Sequence, residues 1–487
     1  MVEPTIYELS SPGRQGVRLP ECDVPTTELP AELVRNDLPF PELSEVDVVR
    51  HFTRLSHLNY AIDLGMYPLG SCTMKYNPRV NEEAARLPGF LHSHPLQPIE
   101  TIQGNLEIMF LLQEWLKEIS GFAGVSLQPA AGAQGELVGV LITRAYHNMR
   151  GDYKRNKIII PDSAHGTNPA TSSMSGFDVI NVSTTSEGNV DIDALRLLCD
   201  ETTAGIMLTN PNTLGLFEQN VLEVVDVVHK AGGLVYGDGA NLNALLGIVR
   251  PGDLGFDIMH FNLHKTFSTP HGGGGPGCGP VGVANHLTAF LPGPIVCISE
   301  EGNNEIPPQF GFVMPEYSIG RIKSFYGHFG MMVRAFTYIA MHGKNGLPKV
   351  AEYAVLNANY LLSKIKHVYK LAYDRICMHE FVVQGCWENV PEIRALDIAK
   401  RLMDYNLHPP TNYFPLIVHE ALMIEPTETE SKQSLDMYAD ALLRIAEEAK
   451  SNPEILKSAP HHTPVRRLDE VKAARDLVLC CWQPDNF

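Results

Sequence analysis

The alternation of short apolar runs with longer amphipathic segments is the feature that most restricts the fold of this chain. The apolar runs lie at residues 157–161, 179–182, 204–209, 234–236 and 257–261, and segments with helical spacing occupy residues 191–200 and 221–231. This order is typical of parallel strands joined by helical crossovers that cover both faces of the sheet. We therefore predict an α/β fold with a mostly parallel sheet in its large domain.

Three polar residues follow predicted strands closely enough to meet at one edge of this sheet. His165 follows the run at 157–161, Asp238 follows the run at 234–236, and Lys265 follows the run at 257–261. Ligands of parallel α/β sheets bind outside the carboxyl ends of the strands. The sequence therefore predicts a single site that contains these three side chains.

Lys265 and Asp238 together fit one cofactor, pyridoxal 5′-phosphate. That cofactor needs a lysine for its Schiff base and a carboxylate at its pyridine nitrogen. Lys265 would hold the cofactor and later transfer protons, and Asp238 would keep the nitrogen protonated, so that the ring can accept electrons. Each residue alone has a simpler interpretation, as a surface lysine or as the turn residue of an Asp-Gly pair. Their combination favours the cofactor.

A phosphate site is predicted in the segment at 128–136, which precedes a helical run at 137–147. Small residues at a helix N-terminus leave backbone N–H groups free and close to an anion. We assign Gly132, Ala133 and Gln134 to the cofactor phosphate, although the same residues are compatible with an ordinary helix start. The glycine-rich run at 272–277 is a rival, but it lacks the context of a known phosphate loop. We expect it to let the backbone pass close to the ligand.

Three further residues are assigned to the cofactor site or weighed for it. The ring of His165 could stack on the cofactor or contact a substrate carboxylate, and the alternative is a loop histidine that bonds to backbone. His264, next to Lys265, could reach the phosphate or simply pack. Ala240, two residues after Asp238, is assigned to the same cofactor site.

Composition excludes several classes of function. Acidic residues outnumber basic ones, 56 against 38, for a formal charge of −18, whereas nucleic-acid binding requires clustered Lys and Arg. The nine cysteines form no C-x-x-C pair, so a disulfide framework is not expected. His92 and His94 lack further ligands at suitable spacing, so no metal site is predicted. With no signal-like N-terminus and no apolar run near the ~20 residues of a membrane helix, we expect a cytoplasmic protein.

Three regions are predicted along the chain. Residues 1–100 are rich in proline and in apolar side chains, which indicates an extended N-terminal arm with one helix at 44–58, started by Ser44. Residues 101–335 form the large cofactor-binding domain. Residues 336–487 form a smaller C-terminal α/β domain, and helices are expected at 329–342, 349–369 and 429–451 near and within it.

Five motifs in this order closely resemble glycine decarboxylase, the P-protein of the glycine cleavage system. They are Gly70-Ser-Cys-Thr-Met-Lys, Gln128-Pro-Ala-Ala-Gly-Ala-Gln-Gly-Glu, Ser163-Ala-His-Gly-Thr-Asn-Pro-Ala, Asp238-Gly-Ala-Asn and Asn262-Leu-His-Lys-Thr-Phe. The family has one long chain of two homologous halves in many organisms and two subunits in others. This chain has about half that length and carries the cofactor lysine, so it resembles subunit 2.

The resemblance implies a pyridoxal-phosphate enzyme of the aspartate-aminotransferase-like fold. Such an enzyme decarboxylates glycine, releases carbon dioxide and passes the aminomethyl group to the lipoyl arm of H-protein. The resemblance implies the same roles for Lys265, Asp238, His165 and the Gly132 segment. It also implies a homologous subunit 1 as partner, and closed two-fold symmetry would give a heterotetramer of two subunit pairs.

Two alternatives remain at this stage. One is another pyridoxal-phosphate enzyme, such as an aminotransferase or an amino-acid lyase, although no arginine for a distal substrate carboxylate is identified by pattern. The other is a non-catalytic scaffold subunit, against which the presence of both Lys265 and Asp238 argues.

Overall fold

A computed structural model of the chain describes residues 3–35, 40–272, 277–303 and 307–479. Contacts divide the chain into a larger unit, Gly65–Lys457, and a smaller one that combines Met1–Leu64 with Ser458–Phe487. The boundaries predicted at residues 100 and 335 stay predictions. Among the described residues, no helix is both long and apolar enough to cross a lipid bilayer.

A seven-stranded sheet forms the centre of the larger unit. Its strands are β1 (Gly124–Ser126), β2 (Lys157–Pro161), β3 (Asp178–Val182), β4 (Thr203–Thr209), β5 (Leu234–Gly239), β6 (Ile258–Phe261) and β7 (Val281–Val283), in the order β1-β7-β6-β5-β4-β2-β3. The five neighbouring strands β3, β2, β4, β5 and β6 pair in parallel, whereas β7 pairs antiparallel with β6 and with β1. The predicted mostly parallel sheet is confirmed.

Thirteen α-helices lie in the described residues of the two units. In chain order they are α1 (Glu45–His57), α2 (Arg79–Ala85), α3 (Pro88–Leu91), α4 (Gln103–Ser120), α5 (Gly132–Met149), α6 (Thr167–Met174), α7 (Ile192–Leu198), α8 (Val221–Lys230), α9 (Phe329–Ile365), α10 (Ala395–Asp404), α11 (Lys432–Ser451), α12 (Glu454–Lys457) and α13 (Glu470–Arg475). Short 3₁₀ turns occupy Ala31–Leu33, Ile99–Thr101, Leu242–Ala244, Pro251–Leu254 and Asn285–Phe290.

The central strands are apolar because both faces of the sheet are covered. On β2, Ile159 belongs to one hydrophobic cluster, while Ile158 and Ile160 belong to another on the opposite face. This split follows from the alternation of side chains along a strand. All seven residues of β4 are buried, as expected for an inner strand of a parallel sheet.

A second, smaller sheet lies in the C-terminal part of the larger unit. It consists of β10 (Phe381–Gln384), β12 (Ala421–Ile424) and β11 (Thr411–Asn412), in the order β10-β12-β11, with antiparallel pairing. Its hydrophobic cluster includes side chains of α10 and α11. A separate hairpin is formed by β8 (Ile295–Glu300) and β9 (Gln309–Val313). The large parallel sheet and the smaller α/β part confirm the predicted fold class.

The long helix α9 contributes to both of these cores. Its residues Met331 to Ala351 include members of the cluster at the large sheet, and Ala358 to Ile365 include members of the cluster at the small sheet. Gly343 interrupts the helical backbone with φ 57° and ψ −175°. Glycine adopts such a left-handed φ without steric cost. This break accounts for the two separate helices predicted at 329–342 and 349–369.

The smaller unit contains α1 and α13. Helix α1 begins as predicted: Ser44 accepts a hydrogen bond from the Asp47 amide, and the Asp47 side chain accepts one from the Ser44 amide. This reciprocal pair is a capping box. Near its end, Arg54 and His51 contact the carboxylate of Glu3. Much of the rest of this unit leaves apolar side chains exposed, including Val17, Leu19, Leu29 and Phe40.

Candidate active site

A cavity of about 200 Å³ opens at the carboxyl ends of β4, β5 and β6. The structure brings most of the predicted site residues to its wall. Its lining comprises Ser71, Gly132, Ala133, Glu136, His165, Thr167, Thr209, Thr213, Asp238, Ala240, Asn241, His260, Asn262, His264 and Lys265. A larger cavity of about 470 Å³, lined mainly by residues 82–109 and 312–334, contains none of the predicted residues.

Lys265 lies in the loop after β6 and reaches into this cavity. Its Nζ donates a hydrogen bond of 2.7 Å to the backbone carbonyl of Ser71. Ser71 has φ 59°, a left-handed conformation that is uncommon for a residue other than glycine. The amine of Lys265 is therefore held by a loop distant in sequence, and the conformation of that loop decides where the amine points.

Asp238 is buried near the end of β5 and is surrounded by donors. Oδ1 accepts from the Ala240 amide at 2.9 Å, and Oδ2 accepts from Asn168 Nδ2 at 3.2 Å. Burial raises the pKa of Asp238. His260, the Ala240 amide, Lys265 and Asn168 together lower the pKa by more than burial raises it, so the net pKa lies below the usual range. Asp238 therefore presents a negative charge to the cavity at neutral pH.

His260, on β6, was not predicted from the sequence. Its Nε2 lies 3.5 Å from Asp238 Oδ1 and 2.8 Å from Asn262 Nδ2, and its Nδ1 contacts the hydroxyl of Tyr236. Burial lowers the pKa of His260, although Asp238 opposes the shift. The imidazole of His260 therefore lies beside the Asp238 carboxylate, and both side chains are buried. His260 could have been identified from the sequence because it is a histidine within a strand that is otherwise apolar.

Glu136 places a second carboxylate in the cavity wall. It lies on α5 with 2% of its surface exposed and accepts from Asn168 Nδ2 at 2.8 Å. Asn168 therefore bridges Glu136 and Asp238. Burial, and then the charge of Asp238, raise the pKa of Glu136 to about 7. Glu136 is thus able to hold or release a proton near neutral pH, beside a carboxylate that stays ionised.

The beginning of α5 packs closely against the side chain of Asn262. A Cβ at Gly132 would lie 2.2 Å from Asn262 Oδ1, so a larger residue there would require Asn262 to move. No side chain caps this helix among the described residues. The side chain of Gln134 instead accepts from the Ala130 amide at 2.7 Å, and Gln134 is not part of the cavity lining. Gly132 and Ala133 do line the cavity.

The two predicted histidines occupy different positions in the cavity. His165 is exposed in the isolated chain, bonds through Nδ1 to Thr167 Oγ1 at 2.9 Å, and packs edge-on against Phe414. His264 accepts from the Cys278 amide at 3.3 Å. Burial, then His271 and Lys265, lower the pKa of His264 to about 3. The neutral ring therefore keeps Nε2 as a donor. Residues 273–276 of the glycine-rich run lie outside the described residues.

A buried trio, His379, Glu380 and Glu425, lies apart from the cavity lining. Their potential ligand atoms lie within 4.8 Å of one another, close enough to surround a metal ion. Both carboxylates, however, are already occupied by donors: Glu380 accepts from Ser71 and Glu425 accepts from Thr73. We therefore assign the carboxylates to the Ser71–Thr73 loop rather than to a metal.

Comparisons with known proteins agree closely on one family. A "Glycine dehydrogenase, C-terminal domain" family model matches residues 350–461. A probable glycine dehydrogenase (decarboxylating) subunit 2 of Alkaliphilus oremlandii is 57% identical over 479 residues, covering 97% of this chain and 97% of that protein. The chain belongs to this subunit 2 family. A second member, from Listeria monocytogenes serotype 4b, is 54% identical over 488 residues and covers 98% of this chain and 97% of its own length.

Solved structures similar to this subunit 2 chain share its fold. The glycine decarboxylase (P-protein) of the glycine cleavage system, in inhibitor-bound form, superposes with a TM-score of 0.73 at 20% identity, covering 86% of this chain and 93% of that one. A glutamate decarboxylase of Lactobacillus brevis gives a TM-score of 0.64 at 13% identity, covering 88% and 96% of the two chains. At these identities the likeness establishes the aspartate-aminotransferase-like fold and nothing further.

Proposed function

We propose that Lys265 of this subunit 2 chain binds pyridoxal phosphate. The observation that carries the proposal is the shared cavity of Lys265 and the ionised Asp238, at the strand ends where this fold binds ligands. The cavity also suits a polar ligand. Thr209 and Asn241 both belong to its wall. Their buried oxygens, Oγ1 and Oδ1, have no hydrogen-bond partner within the described part of the chain.

Different residues of the cavity would have different roles in binding such a ligand. The bound cofactor supplies an electron sink for the bond that breaks when carbon dioxide leaves. Asp238 would hold a proton at the pyridine nitrogen, and the His165 side chain would contact the ring. The backbone N–H groups at the start of α5, with Nε2 of His264, would bind the phosphate. Lys265 would hold the cofactor and would transfer the proton at the substrate carbon.

We further propose glycine as the substrate and the lipoyl arm of H-protein as the acceptor of the aminomethyl group. The names of the relatives support glycine as the substrate, because they describe a decarboxylating glycine dehydrogenase. They also call each relative subunit 2, which supports a homologous subunit 1 as partner. Two such pairs related by a two-fold axis would form a heterotetramer, the common closed arrangement of paired subunits.

The chain alone is expected to exchange the carboxyl group of glycine with bicarbonate weakly or not at all. A mixture with a subunit 1 homologue and lipoylated H-protein should restore the exchange. The measurement is the incorporation of labelled bicarbonate into glycine by the cofactor-loaded chain, with and without its partners. Full exchange by the monomeric chain alone would show that subunit 1 is not required. A loaded complex that leaves glycine unchanged would contradict the substrate.

Removal of residues 1–60 is expected to weaken assembly with subunit 1. Exposed apolar side chains in this segment, such as Leu19 at 86% and Phe40 at 74% exposure, must be covered by another surface to offset the entropy of ordering the segment. Copurification of tagged subunit 1 measures the effect, and absorbance of the bound cofactor serves as the control for an intact site. Copurification at full yield would exclude the segment as the contact.

A further inference from the structure

Two buried carboxylates clamp the loop that holds the amine of Lys265. Glu380 accepts from the Ser71 amide at 2.6 Å and from Ser71 Oγ at 3.2 Å. Glu425 accepts from the Thr73 amide at 2.9 Å and from Thr73 Oγ1 at 2.6 Å. Ser71 and Thr73 are therefore held in the same way: the backbone amide and the side-chain hydroxyl of each residue donate to one glutamate.

The register of the small sheet explains why the two carboxylates meet there. Phe381 of β10 pairs with Ile424 of β12. Glu380 directly precedes Phe381 and Glu425 directly follows Ile424, so antiparallel pairing brings the two glutamates to the same end of the sheet. Both side chains are fully buried. Neither glutamate lines the cavity. Both contact the loop, and Glu380 also accepts at 3.3 Å from Nδ2 of Asn241, a residue of the cavity wall.

The clamped loop has a backbone that needs support. Ser71 has φ 59° and Thr73 has φ 49°. A left-handed φ is uncommon for serine and is a genuine outlier for β-branched threonine. Strained conformations of this kind persist only where the surrounding structure over-determines them, and they concentrate at functional sites. The four bonds to Glu380 and Glu425 provide that support at both strained residues.

The same groups are linked electrostatically to the lysine. Burial and the neighbouring Glu425 raise the pKa of Glu380, and burial raises the pKa of Glu425 to about 7. Lys265 opposes both shifts, because its positive charge favours the ionised carboxylates. His379 lies 3.9 Å from Glu380 and 3.8 Å from Glu425 through Nε2, and burial lowers its pKa to about 3. This neutral ring adds no positive charge.

We propose that Glu380 and Glu425 are positioning residues for Lys265. They fix the Ser71–Thr73 loop in its left-handed conformation, and the Ser71 carbonyl then holds the lysine amine at the cavity. The inference rests on the proposed attachment of pyridoxal phosphate to Lys265. It adds two residues that do not touch the cofactor and act on the lysine through 2.6–2.9 Å hydrogen bonds to a loop.

The test compares Glu380→Ala with Glu380→Gln and with a matched control, Glu218→Ala. Glu218 is also buried and also accepts backbone amides, from Val190 at 2.7 Å and Asn220 at 3.0 Å, but in another loop. The apo chain of each variant is mixed with pyridoxal phosphate. Absorbance gives the rate of uptake and the dissociation constant, and thermal unfolding is recorded separately for each variant.

Glu380→Ala is expected to weaken binding of pyridoxal phosphate roughly tenfold, because the loop loses its acceptor. Glu380→Gln should restore most of the affinity, because its amide oxygen can still accept from the Ser71 amide. Glu218→Ala should lower the unfolding temperature and leave the dissociation constant unchanged. A merely structural role of Glu380 predicts the same pattern as Glu218→Ala, and that result would overturn the proposal.

Two further outcomes are decided by the same experiment. If Glu380→Ala does not fold, Thr73→Val carries the test, and it is expected to slow uptake about threefold because it removes the bond from Thr73 Oγ1 to Glu425. Unchanged uptake in Thr73→Val would overturn the proposal. A wild-type chain that takes up no pyridoxal phosphate would instead refute the cofactor assignment, and this result is separate from any difference between the variants.

Discussion

Lys265→Ala is expected to abolish covalent attachment of pyridoxal phosphate, because alanine has no amine for the bond. The chain should still fold, since the Lys265 side chain makes one hydrogen bond among the described residues, to the Ser71 carbonyl, and Asp238 keeps its bonds from the Ala240 amide and from Asn168. Borohydride reduction followed by mass spectrometry of peptides measures attachment directly. The wild type should carry the cofactor on the peptide that contains Lys265, and the variant should carry none.

Lys230→Ala is a suitable control for that experiment. Lys230 lies on α8 with its side chain 75% exposed and forms one ion pair with Asp226. Exposed pairs of this kind contribute little to stability, so the control should retain both fold and cofactor. Cofactor that resists dialysis in Lys265→Ala and is trapped by borohydride on a different lysine would contradict the assignment.

Asp238→Asn is expected to keep the cofactor but to lower turnover of the assembled enzyme by roughly 10²–10³-fold, the usual cost of removing a preorganised electrostatic partner. The amide is isosteric with the carboxylate, and its oxygen can still accept from the Ala240 amide at 2.9 Å. It carries no charge to hold a proton at the pyridine nitrogen. Glycine–bicarbonate exchange in the reconstituted complex gives the rate, and absorbance gives the occupancy.

Asp257→Asn provides a matched buried control. Asp257 accepts from the Val235 amide at 2.7 Å and contacts His229 at 2.8 Å, just before β6 and at the opposite end of that strand from the cavity. Its substitution should lower stability and leave turnover of the folded fraction unchanged. Turnover near the wild-type value in Asp238→Asn would remove Asp238 from its proposed role.

The large sheet could be predicted because its inner strands appear in the sequence as short apolar runs. The run at 204–209 is apolar up to Thr209, and the observed β4, Thr203–Thr209, is buried throughout. The convergence of Asp238 and Lys265 followed from the same source, since parallel strands deliver their carboxyl ends to one edge. The Ser44 cap of α1 was equally local, because a capping box spans four consecutive residues.

The supporting residues of the site could not be predicted, because they depend on tertiary pairing. Glu136 looks like a polar residue on an amphipathic helix until Asn168 is seen to join it to Asp238. Glu380 and Glu425 are distant in sequence from Ser71 and Thr73, and only the register of β10 with β12 places them together. The side-chain bond from the Ala130 amide to Gln134 could likewise not be predicted, because it depends on the turn that precedes α5.

The clamp has a mechanical consequence for the whole larger unit. Lys265 lies in the loop that follows β6 of the large sheet, whereas the carboxylates that contact its acceptor loop flank strands of the small sheet. Helix α9 is shared by both cores and continues without interruption after Gly343. From the proposed role of Glu380 and Glu425, we expect a shift of the small sheet to reach the amine through the Ser71 carbonyl. Substitutions far from the cavity that tilt this sheet should alter the reactivity of Lys265 while every residue of the cavity wall stays the same.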